Sequence, residues 1–208
     1  QSPFSLEVRV SDGGSPALDA TASMSITVVD VNDPPTFTPG ADVEVVEDSA
    51  AFDAPWAGAI DDGDGGGQGL EFVLVNSNPA LFSTAPAIDA GTGNLTFTPA
   101  ADANGSAQIT VVLRDDGGTD LGGQDSSAPH LLNISVRPVN DAPGFAASNP
   151  PPVLQDSGAA EVAGWAVFDP GAANESTQQA LEYQVSAIDN PALFSVPPTV
   201  EAATGTLR

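Results

Sequence analysis

The sequence predicts an all-β protein made of tandem antiparallel β-sandwich domains. Short apolar segments alternate with period two, and turn residues are dense, with 21 Gly and 19 Pro among 208 residues. The chain also repeats itself: Asn78–Ser83 returns as Asn190–Ser195, and Val31–Asp33 returns as Val139–Asp141. These and two further matches are offset by 108 to 112 residues. That offset suits a sandwich domain of about 100 residues, whereas short solenoid repeats take roughly 20–50.

The central copy carries the clearest strand pattern. Each segment is rich in β-branched and aromatic residues and is bounded by Gly, Pro, Asn or Asp, which is typical of strands. About seven such strands fit between Pro34 and Asp141. Because only one face of each strand is apolar, two packed sheets are expected. The predicted inward positions are Val43, Val45, Leu70, Phe72, Leu74, Leu95, Phe97, Ile109, Val111, Leu113, Leu132, Ile134 and Val136.

The segments on either side of the central copy are partial repeats of it. Residues 1–33 align with 105–141, the last two strands of a domain, and residues 142–208 align with 34–96, the earlier strands. We therefore expect one complete domain, residues 34–141, between two incomplete ones. Each incomplete piece leaves an apolar sheet face and an unpaired edge.

Two explanations of these incomplete pieces stay open. The chain starts with Gln1 and shows no basic-then-apolar leader, which favours an excerpt of a longer polypeptide that holds the missing halves. Alternatively, the end of one molecule pairs with the start of the next and gives a head-to-tail filament.

The composition excludes several classes of partner. The net charge is −24, from 28 acidic residues against four arginines and no lysine. Binding to nucleic acid or anionic lipid needs Lys and Arg, so neither partner is expected. No apolar run approaches the roughly 20 residues of a membrane span. There is no cysteine, so disulfides and thiolate metal sites are excluded as well. Divalent cations are the natural neutraliser of such a surface.

A motif at the first domain boundary suggests where such cations bind. The stretch Asp30-Val31-Asn32-Asp33-Pro34-Pro35 follows an alternating strand. It resembles the closing motif of a cadherin repeat, and the resemblance covers nearly the whole chain. It implies tandem cadherin-like or Ig-like sandwich domains with calcium bound between them. Pro99–Gly105 stands where cadherins carry Asp-Arg-Glu, and this segment resembles bacterial cadherin-like and tandem-repeat adhesin domains.

The resemblance implies a calcium ligand set at each of two joints. At the second joint Pro138 replaces the first aspartate of the motif, so we expect weaker binding there. Accordingly, Asp30→Ala should lower calcium affinity clearly and Asn140→Ala should change it little. The implied ligands are Asp30, Asn32, Asp33, Asp61, Asp62, Asp64 and Asp116 at the first joint, and Glu47, Asn140, Asp141 and Asp169 at the second.

Residue chemistry is consistent with this implication. Calcium takes six to eight oxygen ligands at about 2.3–2.6 Å in flexible geometry. Side chains alternate along an extended linker, so Asp30 and Asn32 share a side. Clustered carboxylates repel one another, so a bound cation should stiffen the joint. Simpler alternatives also fit: the linker motif as a turn, and residues 61–64 as a solvated loop.

The predicted function is mechanical rather than enzymatic. We expect a calcium-rigidified segment of a secreted or cell-surface adhesin or filament. Its partners would be neighbouring repeats, together with a glycan or cell-surface ligand. His130 is the only histidine, and nothing in the repeats marks an activated nucleophile. The alternative is a carbohydrate-binding or accessory module of a secreted polysaccharide-active enzyme. Exposed Trp56 and Trp165 would favour that alternative, and buried ones the structural segment.

Overall fold

A computed structural model describes residues 3–208, so Gln1 and Ser2, the first residues of the predicted 1–33 piece, lie outside the described range. The all-β expectation is confirmed, because the regular structure consists of strands and short 3₁₀ turns. No helix in residues 3–208 is long and apolar enough to cross a bilayer. The strands are β1 (Phe4–Ser11), β2 (Asp19–Ile26), β3 (Thr36–Thr38), β4 (Val43–Val46), β5 (Phe52–Pro55), β6 (Gly58–Asp61), β7 (Glu71–Asn76), β8 (Phe82–Ile88), β9 (Asn94–Pro99), β10 (Gly105–Arg114), β11 (His130–Arg137), β12 (Gly144–Ala147) and β13 (Ala166–Asp169).

The strands β3 to β11 form the central sandwich. One sheet has the order β4-β11-β10-β7, and β4 runs parallel to β11 while the other pairs are antiparallel. The strands opposite it are β3-β6 and β5-β9-β8. Nine strand segments occur where about seven were expected, for two reasons. β3 and β4 are successive parts of one extended stretch that passes from one sheet to the other. β5 and β6 are likewise one extended stretch that is interrupted by a break.

The alternation seen in the sequence fills the core of this sandwich. Aromatic pairs form between the two layers, where Phe37 of β3 meets Phe72 of β7, and within one layer, where Phe52 of β5 is paired with Phe97 of β9. Phe37 and Phe72 meet edge to face at 5.1 Å between ring centroids, and Phe52 stacks on Phe97 at 4.9 Å, both within the range of favourable aromatic pairs. The residues with 0% exposure are Leu95, Ile109, Val111, Leu113, Leu132 and Ile134.

Trp56 lies at the break between β5 and β6. The backbone N–H groups of Trp56 and Ala57 both donate to the carbonyl of Gly93 at 2.9 Å. Gly93 has φ +74° and lies so close to the Ala57 carbonyl that a Cβ would clash, which requires glycine there. The Trp56 indole N–H donates to the Ala41 carbonyl at 2.9 Å, and the side chain is 7% exposed. Trp56 is therefore a core residue, as the structural interpretation required.

The hairpin β1–β2 precedes the central sandwich. Its turn is held by Asp12, whose Oδ1 accepts the N–H groups of Gly14 and Leu18. Every residue of both strands is exposed. The apolar face predicted for this piece is thus present and uncovered in the described chain.

Residues 142–208 keep several contacts of the central sandwich. β12 pairs with β13 as β3 pairs with β6, and the Ala166 N–H donates to the Gly205 carbonyl at 2.9 Å, as Ala57 does to Gly93. The Trp165 indole donates to the Ser148 carbonyl at 2.6 Å.

One sequence expectation fails in this segment. Leu181, Tyr183 and Val185 alternate as a strand should, yet they form none. Their counterpart is β7, an edge strand that is hydrogen-bonded only to β10. Without a counterpart of β10 beside it, the 181–185 segment has no ladder to join.

Candidate metal centre at the two joints

Acidic side chains from three parts of the chain meet at the second joint, the linker 138–141 with the loops around it. Asp48, Asp102 and Asp141 each present a carboxylate oxygen within 4.8 Å of the others. Asp48 and Asp102 belong to two loops of the central sandwich, and the Asp102 N–H donates to Asp48 Oδ1 at 3.1 Å. Asp141 comes from the linker. The structure thus gathers carboxylates where the central sandwich meets the segment that follows.

Glu47 connects the same three parts of the chain by hydrogen bonds. It is 1% exposed. Its Oε1 accepts the Val139 N–H at 2.8 Å and Asn174 Nδ2 at 3.2 Å, while Oε2 accepts Asn104 Nδ2 at 3.1 Å. The Val139 N–H, helped by the two amides, holds the pKa of Glu47 below its ordinary value against the opposing effect of burial. Glu47 is therefore a buried carboxylate that stays ionised and orders the joint.

Glu175 supplies a further buried carboxylate from the following segment. It is 5% exposed, and its Oε1 accepts the Asp141 N–H at 2.9 Å. Among the described residues, Glu175 Oε2 and Asp141 Oδ2 are buried without a hydrogen-bond donor. Gly171 sits against both side chains, where a Cβ would come within 3.2 Å of Glu175 Oε2 and 3.3 Å of Asp141 Cβ. Buried oxygens without donors need another positive partner.

The second joint gathers negative charge without a positively charged side chain to balance it. Burial, together with the negative charges of Asp48, Asp102, Glu175 and Glu47, raises the pKa of Asp141 above its ordinary value. Within residues 3–208 the ion pairs run from Arg9, Arg137 and Arg208 to other acids, and none reaches this cluster. The site consists of oxygen ligands only, which suits a hard divalent cation such as calcium.

The first joint, where the linker 30–33 meets the loops 61–69 and 115–124, is built mainly from amide contacts. Asp115 is 9% exposed, and its Oδ1 accepts Asn32 Nδ2 at 2.9 Å and the Gly117 N–H at 3.0 Å. Gln68 Nε2 donates to Asn32 Oδ1 at 2.7 Å and to Asp64 Oδ2 at 2.9 Å. In the described chain, Asp115 Oδ2 and Gln68 Oε1 are buried without donors. These two oxygens are therefore acceptors of this joint that a positive partner would satisfy.

Asp62 shapes the glycine-rich loop of the first joint. It is 4% exposed and accepts the N–H groups of Gln68, Gly66 and Asp64 at 2.9 to 3.1 Å. Those of Gln68 and Gly66 contribute most to lowering the pKa of Asp62. Three backbone donors occupy much of the acceptor capacity of this carboxylate, so it orders the loop.

The remaining ligands suggested by the sequence lie in varied places. Asp61 Oδ1 accepts the Gly63 N–H, Asp116 Oδ1 accepts the Gly69 N–H, and the Asp33 N–H donates to Asp64 Oδ2. Asp30 is exposed on the linker. At the second joint, Asn140 Oδ1 accepts Gln178 Nε2, and Asp169 Oδ1 accepts the Gly171 N–H.

The sequence missed several members of both sites. At the second joint these are Asp48, Asp102 and Glu175, and at the first Asp115 and Gln68. Carboxylate convergence is found at the second joint, where the sequence suggested the poorer site. The adjacency of Asp48 to Glu47 and of Asp115 to Asp116 was an available signal, whereas the position of Glu175 depends on the loop conformation.

Comparisons with known proteins agree with the architecture. A sequence model described as "Bacterial Ig domain" matches residues 32–126. Protocadherin-16 of Mus musculus is 32% identical over 148 residues, which is 70% of this chain and 4% of that protein. Protocadherin-8 of Rattus norvegicus is 30% identical over 168 residues, 72% of this chain and 15% of that protein. The chain thus spans only a small part of these relatives.

A solved structure shows the same fold. The human desmocollin-1 ectodomain superposes with a TM-score of 0.52 at 21% identity, covering 99% of this chain and 39% of that one. At that identity the likeness concerns the fold alone.

Proposed function

We propose that this chain, which is built on a cadherin-like, Ig-like β-sandwich domain, is a calcium-rigidified segment of an extracellular or cell-surface protein. Its role is structural and adhesive rather than enzymatic. The observation that carries the proposal is the cluster of Asp48, Asp102 and Asp141 carboxylates at the second joint, together with the buried oxygens Asp141 Oδ2 and Glu175 Oε2, which have no hydrogen-bond donor in residues 3–208. Carboxylates of the central sandwich, the linker and the following segment would share one cation.

The mechanical consequence follows from the charges. Without a cation, Asp141 faces four other carboxylates, and their repulsion favours opening of the joint. A calcium ion supplies two positive charges and accepts six to eight oxygen ligands. Asp48, Asp102, Asp141 and Glu175 would hold the ion, while Glu47 orients the linker through Val139. Calcium would thereby convert a repulsive hinge into a fixed connection.

Calcium should stabilise the chain against heat and denaturant. Ligand binding to the folded state adds about 2.7 kcal/mol at a hundredfold excess over the dissociation constant. Extracellular calcium modules bind at about 10⁻⁴–10⁻³ M. We therefore expect a higher melting temperature in about 10 mM calcium than in chelator. Superimposable melting curves in both conditions would refute the proposed site.

The effect of Asp141→Asn on the melting temperature should have opposite signs in chelator and in calcium. In chelator at pH 7 it should raise the melting temperature, because the raised pKa of Asp141 means that the folded state disfavours its ionised form. As pH falls toward the ordinary value of 3.8, Asp141 takes up a proton and this advantage should disappear. In calcium the variant should be less stable than the parent, because a ligand is lost.

The control for this crossover is Asp189→Asn, which removes the same charge from an exposed position of the following segment. It should shift both melting curves equally and leave the calcium response intact. If Asp141→Asn also shifts both curves equally, Asp141 is not a ligand.

At the first joint, Asp115 should matter more to calcium than its neighbour Asp116. Asp115 is buried beneath Asn32 with a free Oδ2, whereas Asp116 is exposed and accepts the Gly69 N–H. We expect Asp115→Asn to weaken the calcium-dependent stabilisation of this joint and Asp116→Asn to have little effect. Calorimetric titration in an Asp141→Asn background isolates this site. Equal affinities of the two variants would contradict the assignment.

The partners of such a segment are neighbouring repeats, within one chain or from a second molecule. The alternative function, a carbohydrate-binding module, is favoured by exposed tryptophans. Trp56 is buried in the core, and Trp165 is half-buried in an open cleft. A glycan or cell-surface ligand stays part of the proposal without an assigned site.

A further inference from the structure

The strand β7 forms an open edge of the central sandwich. It is the last strand of the sheet β4-β11-β10-β7, so β10 is its only ladder partner within residues 3–208. Both layers of this sandwich are in place around it, and the open side of β7 is a feature of the assembled sandwich. A strand in this position presents backbone donors and acceptors that another strand can use.

The hydrogen bonds to β10 show which residues of β7 present these groups. The Ser77 N–H donates to the Gln108 carbonyl at 3.0 Å, so these two residues form a hydrogen-bonded pair at the end of the antiparallel ladder. Such pairs alternate with non-hydrogen-bonded pairs along a ladder. Phe72, Leu74 and Asn76 therefore direct their backbone N–H and C=O groups away from β10, toward the open side.

β7 lacks the features that commonly protect an edge strand from pairing. Proline, bulges, short length and charged side chains all oppose the addition of a strand. β8, an edge of the other layer, contains Pro86 and two register shifts, and β4 has only four residues. β7 has six residues in an unshifted register and no proline, and its one charged residue, Glu71, lies opposite Arg114. The edge of β7 is thus suited to accept a further strand.

Exposed apolar side chains lie beside this edge on the outer face of the same sheet. They form two neighbouring cross-strand rows, one of Val75, Thr110 and Leu131 and one of Val73 and Val112. Val75 is 65% exposed, Leu131 60% and Val73 37%. Exposed apolar residues that are grouped in this way indicate an interaction surface. The surface reaches the open edge of the sheet, so an added strand would extend it.

We propose that β7 pairs antiparallel with β7 of a second copy of the chain, which joins two four-stranded sheets into one. The register follows from the outward backbone groups. Only a two-fold axis at Leu74 engages all three outward residues on both chains, with Leu74 opposite Leu74 and Phe72 opposite Asn76 of the second copy. The contact uses the same surface on both molecules, so association closes at a dimer.

The side chains of β7 are complementary to themselves in this register. Val73 lies opposite Val75 of the second copy, and Val75 opposite its Val73, so an apolar cross-strand pair forms twice. Each row on the outer face then continues into a row of the second copy. An unrelated strand would have to supply apolar residues at the same spacing, whereas a second copy supplies them by symmetry.

The charges of β7 are also compatible with a second copy. The two Glu71 side chains lie at opposite ends of the paired strands, about 20 Å apart along the strand direction. That separation exceeds the Debye length of about 8 Å at 0.15 M ionic strength. The net charge of −24 opposes the approach of two copies at long range, so association should strengthen as salt is raised.

This contact goes beyond the proposed calcium function. None of the residues in the ladder or in the two rows belongs to the ligand clusters of the joints. The dimer should therefore form in chelator as well as in calcium. A chain that dimerises but does not respond to calcium would contradict the proposed function alone, and a calcium-responsive monomer would contradict this contact alone.

The variant Val75→Asp tests the contact. In the dimer it places a carboxylate opposite Val73 on each side of the axis, where an unpaired charge is unfavourable. We expect the dissociation constant of the dimer to rise at least about tenfold. Sedimentation velocity over a concentration series, at about 0.15 M salt, measures it. Because Val75 is exposed in the single chain, the variant should keep the melting temperature and the calcium response of the parent.

The matched control is Val153→Asp, the same substitution at a position that is also 65% exposed but lies outside β7 and its outer face. It should dimerise like the parent. The proposal is overturned if the parent stays monomeric at every concentration, or if Val75→Asp dimerises as tightly as the control.

Cysteine variants test the register, since the chain has no cysteine of its own. Val73→Cys mixed with Val75→Cys should give an intermolecular disulfide under mild oxidation, because the Cα atoms of a non-hydrogen-bonded pair are about 4.5 Å apart. Either variant alone should not, because its two cysteines would lie about 8 Å apart, beyond the roughly 7 Å that a disulfide spans. A disulfide in either variant alone would indicate a shifted register and overturn this pairing.

Discussion

Replacing Trp56 by alanine should lower the free energy of unfolding of the central sandwich by about 3–5 kcal/mol, as truncation of a buried tryptophan does. The side chain is 7% exposed and packs against Phe37 with 6.2 Å between ring centroids. The variant also removes the indole donor of the Ala41 carbonyl. Gly40 lies directly against the ring, so the backbone there would lose its support. Denaturant titration followed by circular dichroism measures the change.

Trp165→Ala is the matched control for this prediction. Trp165 repeats the indole hydrogen bond of Trp56 but lies half-buried at the open cleft of the following segment. It should leave the transition of the central sandwich nearly unchanged. If instead Trp56→Ala leaves the free energy of unfolding unchanged and abolishes binding to glycans, the carbohydrate-binding function replaces the structural function.

Much of the fold was accessible from the sequence because period-two alternation reports burial directly. All of the inward positions predicted in β9, β10 and β11 are at most 2% exposed. The break at Trp56 could not be predicted from the sequence, because it depends on a contact with Gly93, more than 30 residues away. The missing strand at 181–185 shows the same limit, since a strand needs a neighbour as well as a pattern.

The joints were harder to predict because ligand sets depend on which oxygens remain free. Asp62 fits a calcium motif by its position, yet three backbone N–H groups occupy its carboxylate. Glu175 belongs to no motif, and the loop after Gly171 carries it to Asp141. A sequence motif counts acidic residues, whereas the structure shows which of them lack a donor. For that reason the sequence motifs did not predict that the second joint, which has fewer motif residues, holds the denser carboxylate cluster.

Replacing Glu47 by alanine should destabilise the chain both in chelator and in calcium, and more in calcium. In chelator at pH 7 we expect a loss of about 1–3 kcal/mol, because the amides of Asn104 and Asn174 and the Val139 N–H lose the buried acceptor that they share. In calcium the joint also loses the order that positions Asp141. The second loss should appear as a smaller calcium-dependent rise of the melting temperature.

The pH dependence of this loss has a definite sign. The pKa of Glu47 is lowered in the folded state, so its contribution to stability is complete above its ordinary value of 4.5. The contribution fades as pH falls through the lowered folded pKa, so the parent and Glu47→Ala should converge in acid. For Asp141, whose pKa is raised, protonation relieves a penalty instead, so the two residues of one site should respond to acid in opposite directions.

Glu44→Ala provides the control, three residues away on the same strand path. Its carboxylate pairs with Arg137 at 2.9 Å, but both side chains are more than half exposed, so the pair contributes at most about 1 kcal/mol. The control should keep the full calcium response and lose stability only slightly. X-ray scattering adds a readout of shape: without Glu47, the joint should stay variable even in saturating calcium. A calcium-bound Glu47→Ala chain as stiff as the parent would show that the cation alone fixes the joint and that the Glu47 contacts are dispensable.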